Sequence, residues 1–221
     1  MRFRKIIRWL PIILTTGILL FISYWIASTG IFASSSKHEL IDNYTKKERE
    51  IFKLRNYFNS IVPPGFSVYI EFGNDKKIDF LVYEGAWDIN NRNYGLFQQW
   101  DINPYDYKEQ PMTHNDSSEY SPKTKSLNLV KQKLGWNDAT FRTIKNMLDK
   151  ANCISVSNGD PTEIGFARSG MGKYSYQVFN NPLSDSLKKE YNDSCTYIFY
   201  CRNVVLEYEG GAIGAQCFPD K

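Results

Sequence analysis

Nineteen consecutive residues without a charge, Trp9 to Ala27 (WLPIILTTGILLFISYWIA), follow the basic tip MRFRKIIR at residues 1–8. As a helix rising 1.5 Å per residue, this stretch is about 28 Å long, close to the ~30 Å hydrocarbon thickness of a bilayer. Trp9 marks one end and Tyr24 with Trp25 the other, where amphipathic rings favour the headgroup level. The stretch therefore predicts a transmembrane helix over residues 9–27. Arg2, Arg4, Lys5 and Arg8 precede it and no further charge follows until Lys37, so the positive-inside bias places the N-terminus in the cytoplasm and the rest of the chain outside it. The alternative is a signal peptide cut near Ser28-Thr29-Gly30. Signal cores run only about 7 to 15 residues, so an uncleaved single-pass anchor in a bacterial inner membrane is expected, with a periplasmic or otherwise extracytoplasmic domain behind it.

This address changes how charge and cysteine are read. The four basic residues of the tip belong to the topology signal, which leaves 23 of the 27 Lys+Arg against 24 Asp+Glu, a net charge of −1. A nearly neutral domain has no electrostatic footprint for nucleic acid, and that class of partner is excluded. Cys153, Cys195, Cys201 and Cys217 all fall on the exported side, where disulfides form and persist. None has a C-x-x-C spacing and the chain has two His, so zinc is a poor reading and at least one structural bridge in the last third is expected, with the pairing open.

Residues 28–43 are polar and Ser-rich and read as a tether, which leaves residues 44–221 as one exported domain. Thr45-Lys-Lys-Glu48 is a capping-box pattern. Ile51, Leu54, Phe58 and Ile61 then recur at helical spacing until Pro63-Pro64-Gly65. Phe66 to Phe72 and Ile78 to Val82 alternate around Gly73-Asn74-Asp75 as a hairpin. Two helical pieces follow from about Thr124 to Ala151, separated at Gly135, with Asn137 as the second cap and Leu127, Val130, Leu134, Phe141, Ile144, Leu148 and Ala151 facing the core. Short strand-like runs close the chain at Cys153 to Val156, Glu163 to Ala167, Tyr174 to Phe179, Thr196 to Tyr200, Val204 to Glu207 and Ala212 to Phe218. Their short connections demand antiparallel neighbours. The fold class that follows is α+β, with helices packed on a curved antiparallel sheet.

Catalytic constellations are weak. Ala167 to Tyr174 (ARSGMGKY) misses a phosphate loop at its first Gly and at its final hydroxyl, and reads as a glycine turn flanked by Arg168 and Lys173. His38 lies in the tether and His114 in a polar loop, which gives a Ser-His or Cys-His dyad little to build on. Glu71, Asp79, Glu84, Asp88 and Asp101 cluster in sequence, but nothing in their spacing separates an acid from a base. No catalytic, cofactor-binding or metal-ligating residue is assigned.

The tetrad Trp-Asp-Ile-Asn occurs at Trp87 to Asn90 and again at Trp100 to Asn103. Asp88 to Asn93 puts Arg at the fifth position of a calcium loop, which needs an oxygen ligand, and Asn at the sixth, which needs Gly. An extended chain instead places Trp and Ile on one face and Asp and Asn on the other, so the tetrads read as paired strands or covering arms. Aromatics crowd this region. Trp87, Tyr94, Trp100 and Tyr105 are the candidate contacts for an envelope protein or a glycan if exposed, and core filling if buried.

Leu134-Gly-Trp-Asn-Asp, Lys150-Ala-Asn-Cys-Ile-Ser155, Ile164 to Tyr174, Asn192-Asp-Ser-Cys-Thr-Tyr197 and Val204 to Phe218 resemble small, uncharacterised bacterial single-span envelope proteins. The resemblance covers about residues 134–218 and implies an envelope address without implying an activity. The expectation is a membrane-anchored, non-catalytic binding or interaction domain. A glycan-binding module using exposed Trp, or a carboxylate-dependent hydrolase, is the alternative.

Overall fold

The computed structural model describes residues 35–85, 95–109, 122–170, 172–209 and 216–219. The expected membrane span at residues 9–27 lies outside them, and among the described residues no helix is long and apolar enough to cross a membrane. Helix α1 (Lys37–Ile61) starts at Ser36, whose hydroxyl accepts from the Glu39 N–H while the Glu39 carboxylate accepts from the Ser36 N–H. The competing pattern at Thr45 lies inside the helix, where the Thr45 hydroxyl donates to the Ile41 carbonyl at 2.9 Å. Residues 37–43, expected in the tether, are therefore helical, and Leu40 anchors them in the core.

Strands β1 (Phe66–Phe72) and β2 (Ile78–Glu84) form the expected hairpin, paired from Phe66 with Glu84 to Phe72 with Ile78. After β3 (Phe97–Ile102) come α2 (Leu127–Leu134) and α3 (Asp138–Ala151). Gly135 ends α2 at φ 68°, a left-handed conformation that Gly adopts without a Cβ penalty. Asn137 caps α3 by accepting from the Ala139 and Thr140 N–H groups. The buried residues of both helices are the seven expected from the sequence. Strands β4 (Ser155–Ser157), β5 (Thr162–Ser169) and β6 (Gly172–Val178) follow, then a short helix α4 (Asp185–Glu190) that the periodicity does not announce, then β7 (Tyr197–Cys201) and β8 (Val204–Glu209).

All eight strands join one antiparallel sheet in the order β3-β2-β1-β4-β5-β6-β8-β7. The architecture is thus α+β, with three helices on one face. Strand alternation sends Val68, Ile70, Phe80, Val82, Tyr174, Tyr176 and Leu206 toward α1, α2 and α3, where they meet Leu54, Phe58, Phe141 and Leu148. Trp136 closes this core by stacking on Phe80 at 5.8 Å, with its indole N–H donating to the Ile61 carbonyl at 2.9 Å. The opposite face carries the polar partners of the same strands. Helix α4 covers one end of that face, where Leu183 and Leu187 pack with Phe179, Val205 and Phe199.

The described part of the repeated tetrad departs from simple alternation. Ile102 pairs with Ile78 and Gln99 with Phe80, so β3 carries one extra residue at this point. Asp101 absorbs it at φ 56°, with its N–H donating to Asp79 Oδ1 at 2.9 Å. The bulge turns Ile102 into the core and leaves Trp100 outside, so Trp and Ile of this tetrad do not share a face. The first tetrad lies outside the described residues.

Local partners cover part of each sheet edge. Lys123 and Thr124 N–H groups donate to the Gly95 and Leu96 carbonyls beside β3, each at 3.0 Å. On β7, the Tyr197 and Phe199 N–H groups donate to the Asp193 and Asn192 side chains at 2.8 and 3.2 Å. Such capping shortens the template for edge-to-edge association. Cys195 is joined to Cys217, which ties residues 216–219 to the start of β7, and the Phe218 N–H donates to the Cys195 carbonyl at 2.9 Å. No strand forms in this described part of the run expected to end at Phe218.

Candidate binding site on the polar face of the sheet

Register places the polar residues in rows across the strands. One row runs Asp79, Glu71, Ser155, Gly165, Ser175, Glu207 and Tyr197, and the next runs Leu81, Tyr69, Ser157, Glu163 and Gln177. Beyond the bulge in β5, Arg168 pairs with Lys173 and Lys173 with Glu209. Lys173 and Glu163 are two rows apart, and Gly165 stands between them. Its missing side chain gives the Lys173 stem a passage: a Cβ there would lie 3.1 Å from Lys173 Cδ. The ammonium thus reaches Glu163 at 2.5 Å, with Glu209 at 3.7 Å.

Tyr69 joins two ion pairs. Its ring lies 5.0 Å under the Lys173 ammonium, a cation–π distance, and its hydroxyl donates to Glu71. Glu71 also accepts from Arg168 Nε at 2.5 Å and Nη2 at 3.0 Å, a bidentate fork. The Lys173 side chain is 7 % exposed. Burial disfavours its charged form, but attraction by Glu163 and Glu209 outweighs burial and moves its pKa upward. Burial also raises the Tyr69 phenol, which stays protonated as the donor to Glu71. Glu207, 4 % exposed, accepts from Gln177; burial first and repulsion by Glu209 second push its carboxyl up to about 8. Burial and Glu163 raise Glu209 in the same direction.

Above these pairs lies a cavity of about 370 Å³ lined by Tyr69, Leu81, Tyr83, Glu163, Arg168, Lys173 and Glu209. Four strands separate β2 from β8, about 24 Å in a flat sheet at ~4.8 Å per strand, whereas a cavity of this volume is roughly 9 Å across. Side chains of both strands, Leu81 and Tyr83 from β2 and Glu209 from β8, nevertheless line it together. Its wall is divided: Tyr69, Leu81 and Tyr83 give apolar surface, and the opposite side is charged. Such a division suits a small ligand with an apolar body and a polar head.

The residues singled out in the sequence lie elsewhere. Trp100 is 60 % exposed on β3. Tyr105 is half-buried against the core, with the Arg142 guanidinium 5.0 Å from its ring centre. Trp87 and Tyr94 lie outside the described residues, as do Asp88 and His114. His38 is exposed on α1. Cys153 and Cys201 are free thiols; Cys153 is enclosed, and burial pushes its thiol well up, while Cys201 donates to the Tyr44 hydroxyl at 3.6 Å. Asp79, Glu84 and Asp101 are engaged structurally, Glu84 by Lys123 and Lys133 at 2.9 and 2.8 Å and Asp101 by Lys77 at 2.8 Å. Among the described residues, no group of three or more His, Cys, Asp or Glu side chains is placed to hold a metal ion.

Sequence reading treats Arg168 and Lys173 as turn flanks and passes over Glu163, Glu207 and Glu209. The available signal is period-two placement of Lys173, Ser175 and Gln177 opposite buried Tyr174, Tyr176 and Val178. No family model, curated protein or solved structure matches this chain.

Proposed function

We propose that the chain is a membrane-tethered domain on the outer side of a bacterial inner membrane, and that it binds a small envelope component without transforming it. The cavity on the polar face carries this reading, because tyrosine and leucine walls meet charged groups whose positions are fixed by ion pairs. The Cys195–Cys217 bond suits an oxidising compartment. The charge-free span at residues 9–27 and the resemblance of residues 134–218 to single-span envelope proteins support the address. A hydrolase has less support: Glu71 and Glu163 are each committed to a cation, and Glu207 is shut away from the cavity lining. A glycan-stacking role is favoured by one observation, the exposed ring of Trp100.

Thermal unfolding of the full chain with and without a small-molecule extract of its own envelope tests the reading. A ligand that binds only the folded state raises the midpoint by mass action. The parent midpoint should rise, and Leu81→Trp, which fills the cavity, should not respond. A response retained in Leu81→Trp and lost in Trp100→Ala favours the glycan reading. Fractionation tests the tether, and a soluble exported fragment beginning near residue 30 contradicts it.

A further inference from the structure

The charges around the cavity are unequal. Glu71, Glu163 and Glu209 face two cations, Arg168 and Lys173, while Glu207 is shut away from the lining and holds its proton up to about pH 8. Both cations are already held, Arg168 by two bonds to Glu71 and Lys173 by its short contact to Glu163. An anionic head could reach the donors that Arg168, 52 % exposed, keeps beyond its two bonds to Glu71, but it would bring its charge toward Glu163 and Glu209. A cationic head meets the opposite situation. The Glu209 side chain is engaged by Lys173, at 3.7 Å, and by the Glu207 carboxyl, but it is 36 % exposed and a carboxylate has about four lone-pair positions, so it keeps acceptor capacity toward the cavity. The wall facing it is aromatic, and the fold already seats one ammonium on that wall, Lys173 at 5.0 Å from the Tyr69 ring centre.

Resting on the reading of this cavity as a binding site, we propose that its ligand is an organic ammonium with an apolar or aromatic body, the body against Leu81 and Tyr83 and the charge on Glu209. Lys173 then acts as a fixed internal cation that holds Glu163 and leaves Glu209 to the ligand. Burial first and Glu163 second raise the Glu209 carboxyl, and a second cation beside it relieves the repulsion by Glu163.

Three probes with one aromatic body and different heads test this: 2-phenylethylamine, 2-phenylethanol and 3-phenylpropanoate, titrated into the full chain while ring resonances of Tyr69 and Tyr83 are followed by NMR. The amine should shift both tyrosines and bind at least about tenfold tighter than the alcohol, a difference of ~1.4 kcal/mol, with the propanoate weakest. Glu209→Gln should remove that preference while the unfolding midpoint stays near the parent's. If Glu209→Gln does not fold, the ranking of heads on the parent decides alone. Equal or tighter binding of the alcohol or the propanoate overturns the ammonium assignment and leaves the cavity a binding site. No shift of either tyrosine with any probe overturns both.

Discussion

Gly165 is the position where the proposed architecture is most sensitive to a single carbon. An added Cβ would lie 2.1 Å from Ser155 Oγ, 3.3 Å from Ser155 Cβ and 3.1 Å from Lys173 Cδ. Non-bonded carbon contacts settle at about 3.5 to 4.0 Å, so the Ser155 hydroxyl must move by more than ~1 Å and the lysine stem by several tenths. Ser155 Oγ has no hydrogen-bond partner, so turning it breaks no bond, but its surroundings are fully closed. Overpacking of this kind costs about 1 to 3 kcal/mol. Displacing the buried Lys173 ammonium from Glu163 raises the cost toward about 3 to 5 kcal/mol, because a charge then loses its partner. Gly165→Ala should therefore lose roughly 3 kcal/mol, which in a domain of this size lowers the thermal midpoint by about 6 to 12 °C. Unfolding should be followed by circular dichroism for Gly165→Ala, Ser155→Gly and the double variant. Removing the Ser155 side chain opens the space, so the double variant should recover at least about 1 kcal/mol relative to additivity. An unchanged midpoint for Gly165→Ala, or strict additivity in the double variant, refutes the packing argument for the lysine passage.

The two tryptophans should respond oppositely: Trp136→Ala should cost about 3 to 5 kcal/mol in urea unfolding, and Trp100→Ala, at the bulge, should stay within about 0.5 kcal/mol. A comparable loss in both contradicts the assignment of Trp100 to the surface. The disulfide closes a loop with a sequence separation of 22, for which chain entropy gives ~3 kcal/mol; Cys195→Ser with Cys217→Ser should lose about that much, and reductant should destabilise the parent but not the variant. Glu207 holds its proton more tightly when folded than when unfolded. The folded state therefore binds the extra proton between the ordinary carboxyl range and about pH 8, and this contribution makes stability fall as pH rises through that window and level off above it. Glu207→Gln should flatten the decline and exceed the parent's midpoint at alkaline pH, whereas parallel profiles for the two proteins contradict a buried, protonated Glu207.

Much of the helical layer was legible because its signals are local. Gly135 and Asn137 sit at a stop and a cap whatever surrounds them, and the apolar spacing from Leu127 to Ala151 marks one face. The start of α1 was less legible because Ser36 and Thr45 each stand three residues before a Glu, and only the burial of Leu40 and Tyr44 favours the earlier cap. Helix α4 is too short to carry a periodic pattern; its boundary is written in Ser184, whose hydroxyl accepts from the Leu187 N–H at 3.3 Å. The polar face was not legible. Lys173 meets Glu163 only because β5 and β6 pair in one register and Gly165 falls between them, which is a property of pairing rather than of either strand. Likewise, the extra residue at Asp101 inverts the side on which Ile102 lies relative to Trp100, and the tetrad does not encode it.

The central claim is that the polar face, with Tyr69, Leu81 and Tyr83 on one side and Glu209 on the other, holds a small ligand in the cell. The direct measurement is mass spectrometry of small molecules released on denaturing the full chain purified from its own membranes, compared with Leu81→Trp prepared in parallel. The account predicts one enriched compound, basic and partly apolar, released by the parent and absent from the filled-cavity variant. Identical release profiles from two equally folded proteins would contradict it.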